Sequence, residues 1–195
     1  MDEKQTLLRY LRGLREAIVW KLDGLDERAV RLPMTPTGTN LLGLVKHLAG
    51  IEIGYFGTTF GRAWPTPQEA PWAVSEEFED NVDMWATKDE SRAWVLDFYA
   101  RAIAFADETI ESLDLDATGR VPWWGDDDVT LHRILVHVVD ETARHAGHAD
   151  IVRELIDGRA GLSESWSNLP GRDAAWWRDY HATLQATADS FAGAT

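Results

Sequence analysis

The residues best suited to chemistry lie in one stretch, HVVDETARHAGHADIVREL, covering positions 137–155 of a 195-residue chain. Wound as a helix at about 100° per residue, His137, Glu141, His145 and His148 fall within about 80° of arc. That arc also holds Ile134, Val138, Val152 and Leu155, whereas Asp140, Asp150, Arg153, Glu154 and Asp157 point elsewhere. The polar stripe is therefore expected to face the core. An ionised carboxylate buried without a partner costs several kcal/mol or more, and inward helix faces of this sequence offer few basic residues to match it. A bound cation would remove that cost.

Glu141 and His145 stand four residues apart, so both side chains can reach one ion, and a third ligand must come from another helix. His47 is the candidate, because it sits in the middle of an apolar helical face, whereas His132 lies near a helix start and His181 on a weak terminal helix. Taken singly, a core histidine is more often hydrogen-bonded structure than ligand, and Glu141 could pair with Arg144 or Arg133. The conjunction of an inward ionisable stripe with an inward histidine on a second long helix favours a divalent metal held by His47, Glu141 and His145. His137 and His148 have three readings: outer partners that orient a ligand, catalytic acid or base, or satisfied core histidines. Trp123 and Trp124, near the start of the same helix, either line a ligand pocket or pack loops against the bundle end.

These side chains need long helices to position them, and the pattern supplies five. The first is expected over about 3–22, with Leu7, Leu11, Leu14, Ile18 and Leu22 as its inward stripe and Lys4, Arg12, Arg15 and Glu16 facing solvent. The second, capped by Thr39 or Asn40, runs to about Thr59 and presents Leu44, His47, Leu48, Ile51 and Tyr55 inward. Residues 61–88, rich in proline and tryptophan, read as a loop packed over one end. A third helix is expected over about 90–113, a fourth from Val129 or Thr130 to Asp157 with Gly158 closing it, and a weaker one over about 173–190 packed outside the others. No alternating apolar pattern lasts long enough to propose a sheet. The class is all-α, one domain over residues 1–195, with the dimensions of a four-helix bundle.

Composition narrows the function further. The chain has no cysteine, so every protein metal ligand must be His, Asp or Glu, and any thiol in its chemistry must come from outside. Its net charge of −14 repels phosphate backbones and anionic headgroups, so neither nucleic acid nor a membrane is the expected partner. With no apolar run of bilayer length and a charged N-terminus, a cytoplasmic location is expected.

The segments LLGLVKHLAGIE, which carries His47, and HVVDETARHAGHADIVREL resemble the DinB superfamily of metal-binding four-helix bundles. The superfamily's usual late motif has the form H-x-x-x-H-R-G-Q. Here Glu141 and His145 stand at its two ligand positions and His148 stands where glutamine is usual. That change resembles the branch containing mycothiol-dependent maleylpyruvate isomerase, whose ligands are His, Glu and His. The resemblance implies an up-down-down-up bundle, a divalent metal (zinc usually, nickel in some members) on His47, Glu141 and His145, and a low-molecular-weight thiol such as mycothiol as cosubstrate. It also brings in the homodimers common in the superfamily.

The expected activity is S-transfer or thiol-adduct isomerisation. The metal would turn the thiol into a thiolate that attacks an electrophilic small molecule, His148 or His137 would carry the proton, and Trp123 and Trp124 would line the binding site. The same triad would also serve a metal-dependent hydrolase or a non-catalytic metal-binding stress-response protein, and the sequence leaves these alternatives open.

Overall fold

The computed structural model describes residues 1–74, 79–125 and 127–192. Among these residues there are five α-helices: α1 (Glu3–Trp20), α2 (Leu41–Phe56), α3 (Arg92–Ser112), α4 (Leu131–Asp157) and α5 (Ala174–Asp189). Each begins on a side chain that accepts a backbone N–H left free in the first turn. Asp2 forms a reciprocal capping box with Gln5, while Asn40 accepts from Gly43, Ser91 from Trp94, Thr130 from Arg133 and Asp173 from Trp176. α4 ends on Gly158 at φ 78°, a left-handed position that glycine adopts without steric penalty.

Contacts between the ends of helices fix the topology. His132, near the start of α4, meets Glu3 at the start of α1, and Lys21, just past the end of α1, meets Asp150 near the end of α4, so these two run parallel. Lys46 in α2 pairs with Glu90 just before α3, and Phe105 in α3 closes on Gly57 just after α2, so α2 and α3 also run parallel. Leu8 and Leu11 pack in one cluster with Tyr55 and Phe56. Ile18 and Leu22 pack in another with Leu41 and Leu44, which makes α1 antiparallel to α2. The result is the up-down-down-up bundle of a DinB-like fold.

The structure adds a hairpin that the sequence pattern did not suggest, β1 (Thr118–Arg120) paired antiparallel with β2 (Asp128–Thr130). Three residues per strand are too few to show alternation. Its loop carries the helical turn Pro122–Trp124 to the side of α2.

Two arginines expected on solvent faces are buried. Arg15 forks onto Glu52 through two 2.7 Å hydrogen bonds. Arg153 donates to the carbonyls of Lys21 and Asp23, beyond the last turn of α1, and to Asp157. Leu155, placed on the inward arc, is largely exposed, while Arg153 of the same turn is buried against the carbonyls of Lys21 and Asp23. No residue of α5 is buried, in keeping with a helix outside the main four. Among the described residues, no helix is long and apolar enough to cross a membrane.

Candidate metal centre

α2 and α4 bring His47, Glu141 and His145 together, with one ligand atom from each lying within 4.8 Å of the others. Glu141 Oε1 stands 3.0 Å from His145 Nε2 and 3.4 Å from His47 Nε2. Donors held at about 2.0–2.1 Å around one tetrahedral ion lie roughly 3.3 Å apart, so both Glu141 contacts are near that spacing, and the trio, within 4.8 Å throughout, would tighten to close on a divalent cation. Two imidazoles and a carboxylate are also a donor set that zinc and its neighbours accept.

The far nitrogen of His47 is fixed from behind. Its Nδ1 is 2.6 Å from Asp83 Oδ2, which leaves Nε2 turned toward the cluster. Asp83 belongs to the loop before α3, and that loop is pinned to α2. Lys46 donates to the carbonyls of Val82 and Trp85, at 2.9 and 3.0 Å, and Asn40 Nδ2 donates to that of Met84 at 3.1 Å. Gly43 permits this contact, because a Cβ there would come within 1.8 Å of the Met84 carbonyl oxygen.

The charges in the site are strongly coupled. Burial alone would lower the His47 pKa, but hydrogen bonds and charges from Asp83 and Glu141 overcome it and raise it to about 9. The hydrogen bond from His47, with help from His145, draws Glu141 down to about 2 against the effect of burial. His145 is shifted downward by burial and by the His47 charge. Without metal, the cluster is thus a cationic His47 between two carboxylates beside a histidine disposed to be neutral.

The other candidates divide into two places. His148 is exposed, and its Nδ1 is 3.4 Å from that of His145. His137 instead packs among rings, 4.7 Å from Tyr55 and 4.6 Å from Trp124 between centroids. Trp123 borders a cavity of about 480 Å³ that begins at His47 and Asp83 and runs along α2 past Gly50 and Gly54 to Thr58. Trp124 lies behind that wall, against Tyr55.

Sequence reasoning missed Asp83, Trp72, Gly50 and Gly54. Asp83 sits in an irregular loop with no periodicity to betray its direction. The glycines did leave a signal, since positions three and seven beyond His47 share its face of a helix.

Residues 6–158 match the family model described as mycothiol-S-transferase. A search of curated proteins finds no match. Among solved structures, the conserved protein of a locus from Enterococcus faecalis has a similar fold, with 17% identity and a TM-score of 0.63 over 82% of this chain and 99% of that one.

Proposed function

The chain belongs to the mycothiol-S-transferase family, and from that premise we propose that it is a divalent-metal-dependent enzyme joining a thiol of the mycothiol type to an electrophilic small molecule. The observation that carries this reading is the convergence of His47, Glu141 and His145 beside a cavity that His47 itself borders. A divalent ion on these three residues, zinc or alternatively nickel, would shift a thiol from its ordinary pKa of about 8.5 to a thiolate at neutral pH. His47, Glu141 and His145 are the proposed ligands, and Asp83 keeps the ring of His47 in the binding orientation.

In the transfer, R–SH and R′–X become R–S–R′ and HX. The thiol proton leaves through His148, which stands at the exposed edge of the cluster beside His145. The electrophile occupies the cavity beside Trp123, and Trp124 and His137 hold that wall in place through Tyr55. On this reading residues 1–195 form one domain acting in the cytoplasm, where such thiols are kept reduced.

The test is metal content by plasma mass spectrometry, together with thiol transfer, for the wild type and the His47→Ala and Glu141→Ala variants. About one metal per chain, lost with activity in both variants, is the expected result, because each variant removes one of only three ligands. The thiol should also raise the melting temperature only when metal is present. A folded wild type that takes up no divalent metal overturns the proposal, and a metal-bound form indifferent to thiol redirects it to hydrolysis.

A further inference from the structure

The cavity beside the cluster has an unusual floor and walls. Gly50 and Gly54 lie one turn apart on α2, about 6 Å along its axis, and an indole rests against each. A Cβ on Gly50 would stand 2.9 Å from Cζ3 of Trp72, and one on Gly54 would stand 3.0 Å from Cη2 of Trp123. Trp123 is held edge-on by Tyr55, with ring centroids 5.3 Å apart, and donates its Nε1 hydrogen to the tyrosine oxygen at 3.4 Å. Even so, it remains 50% exposed. A large aromatic ring fixed by its neighbours yet left half in water is an apolar platform lacking its covering group.

The charges at the cavity point the same way. Among the described residues that line it, the charged groups are His47 and Asp83, with no Lys or Arg. Lys46, whose ammonium lies 4.9 Å over the Trp72 ring, is 1% exposed and occupied by two carbonyls and Glu90. With the proposed ion in place, its two positive charges are already matched by Glu141 and Asp83, so an anion entering this groove would be desolvated without a surplus counter-charge. It would also approach a thiolate of its own sign.

Resting on the S-transferase reading for its chemistry, we infer that the cavity takes the electrophile as a flat, uncharged, apolar group seated between Trp72 and Trp123, and that it rejects carboxylate-bearing acceptors. Trp123 is then a specificity-determining residue. The two glycines keep the helix low enough for both rings to lie against it.

The binding step can be tested apart from the chemistry. Isothermal titration of the metal-loaded full chain, with the open metal position filled by 2-mercaptoethanol, would compare naphthalene-1-methanol with naphthalene-1-sulfonate, probes of one shape that differ in charge. The neutral probe should bind about ten-fold more tightly or better, because the sulfonate must give up water beside Asp83 and the bound thiolate with no surplus positive charge to meet it. Trp123→Ala, a change at a half-exposed ring, should weaken the neutral probe by about ten-fold through the loss of aromatic contact. Equal or tighter binding of the sulfonate, no binding of either probe, or an unaffected Trp123→Ala variant overturns the inference. Preferential binding of the neutral probe in a protein that fails to transfer thiol to any neutral aryl electrophile leaves the pocket assignment standing and removes the S-transferase reading instead.

Discussion

Two clusters that draw on α2 share one arrangement, a basic side chain between two carboxylates. In one, Arg15 lies between Glu52 and Asp107, with contacts of 2.7 Å to each. In the other, His47 lies between Asp83 at 2.6 Å and Glu141 at 3.4 Å. Both draw on α2, five residues apart, yet they differ in the base and in access. A guanidinium does not give up its proton in proteins, and the Arg15–Glu52 pair is sealed, at 3% and 1% side-chain exposure. An imidazole does give up its proton, and His47 and Glu141 remain 17% and 24% exposed beside a cavity, with a second histidine in reach. The first cluster can only hold helices together. The second can trade its proton for a metal ion.

The largest effect should come from opening the sealed cluster. Arg15→Met leaves Glu52, whose pKa burial already raises, without its partner, so that it must hold an unpaired charge or take up a proton, at a cost of about 3–5 kcal/mol for a buried pair broken on one side. That is a large share of the roughly 5–15 kcal/mol that holds a typical domain. Urea denaturation should show a lower midpoint, while the folded fraction keeps its metal content. If Arg15→Met lost metal without losing stability, the two clusters would not be separable in this way.

A smaller effect distinguishes the clusters by pH. In the metal-free protein the His47 pKa is raised from 6.5 to about 9, so its stabilisation is complete below 6.5 and fades as pH rises through 9. Glu141 is depressed from 4.5 to about 2, so its contribution is complete above 4.5 and fades as pH falls through 2. The contribution of His47 and Glu141 to metal-free stability should therefore peak between about 4.5 and 6.5 and fall on the alkaline side by on the order of 2 kcal/mol, whereas His145, its pKa lowered, adds a part that is lost as pH falls below 6.5. Arg15 stays charged throughout, because its carboxylates outweigh burial and raise its pKa further, so the guanidinium adds no alkaline step. Zinc should reverse the trend above pH 6.5, because binding releases the His47 proton and becomes tighter as pH rises. Denaturant midpoints from pH 4 to 9, with and without zinc, would read this directly, and parallel curves would contradict the assignment of His47 as a ligand.

The same contrast explains what the sequence revealed. Helices α1 to α4 and the convergence of His47 with Glu141 and His145 were legible, because apolar stripes at helical spacing and caps such as Asn40, Thr130 and Gly158 depend on local sequence. The burial of Arg15 and Arg153 was not legible. A stripe divides polar from apolar, but whether a charged residue is buried depends on partners from distant segments, here Glu52, Asp107 and the carbonyls past the end of α1. The expectation that inward helix faces carry few basic residues was accordingly wrong for the bundle, which buries Arg15, Lys21, Lys46 and Arg153. It held locally, since none of these four pairs with Glu141. Asp83 was hidden for a related reason. Only the anchoring of its loop by Lys46 and Asn40 aims it at His47.

Asp83 yields the smallest of these effects and the finest distinction. It stands to His47 as Asp107 stands to Arg15, a second carboxylate behind the base, but in the open cluster it would orient a ring for metal as well as balance the charge of the metal-free histidine. Asp83→Asn keeps an oxygen able to accept from the Nδ1 hydrogen of His47 while removing the negative charge that makes the ring a stronger donor. Metal affinity, measured by competition with a chelator of known strength, should fall about 10- to 100-fold, the usual cost of losing such an outer partner. Asp83→Ala should fall further, because the ring is then free to turn. Stability of the metal-free protein near pH 8 should also fall in Asp83→Asn, since His47 loses one of the two charges that keep it protonated there. If both variants bound metal as the wild type does, Asp83 would merely pin its loop, and His47 would owe its orientation to Glu141 and the neighbouring ring of His145 alone.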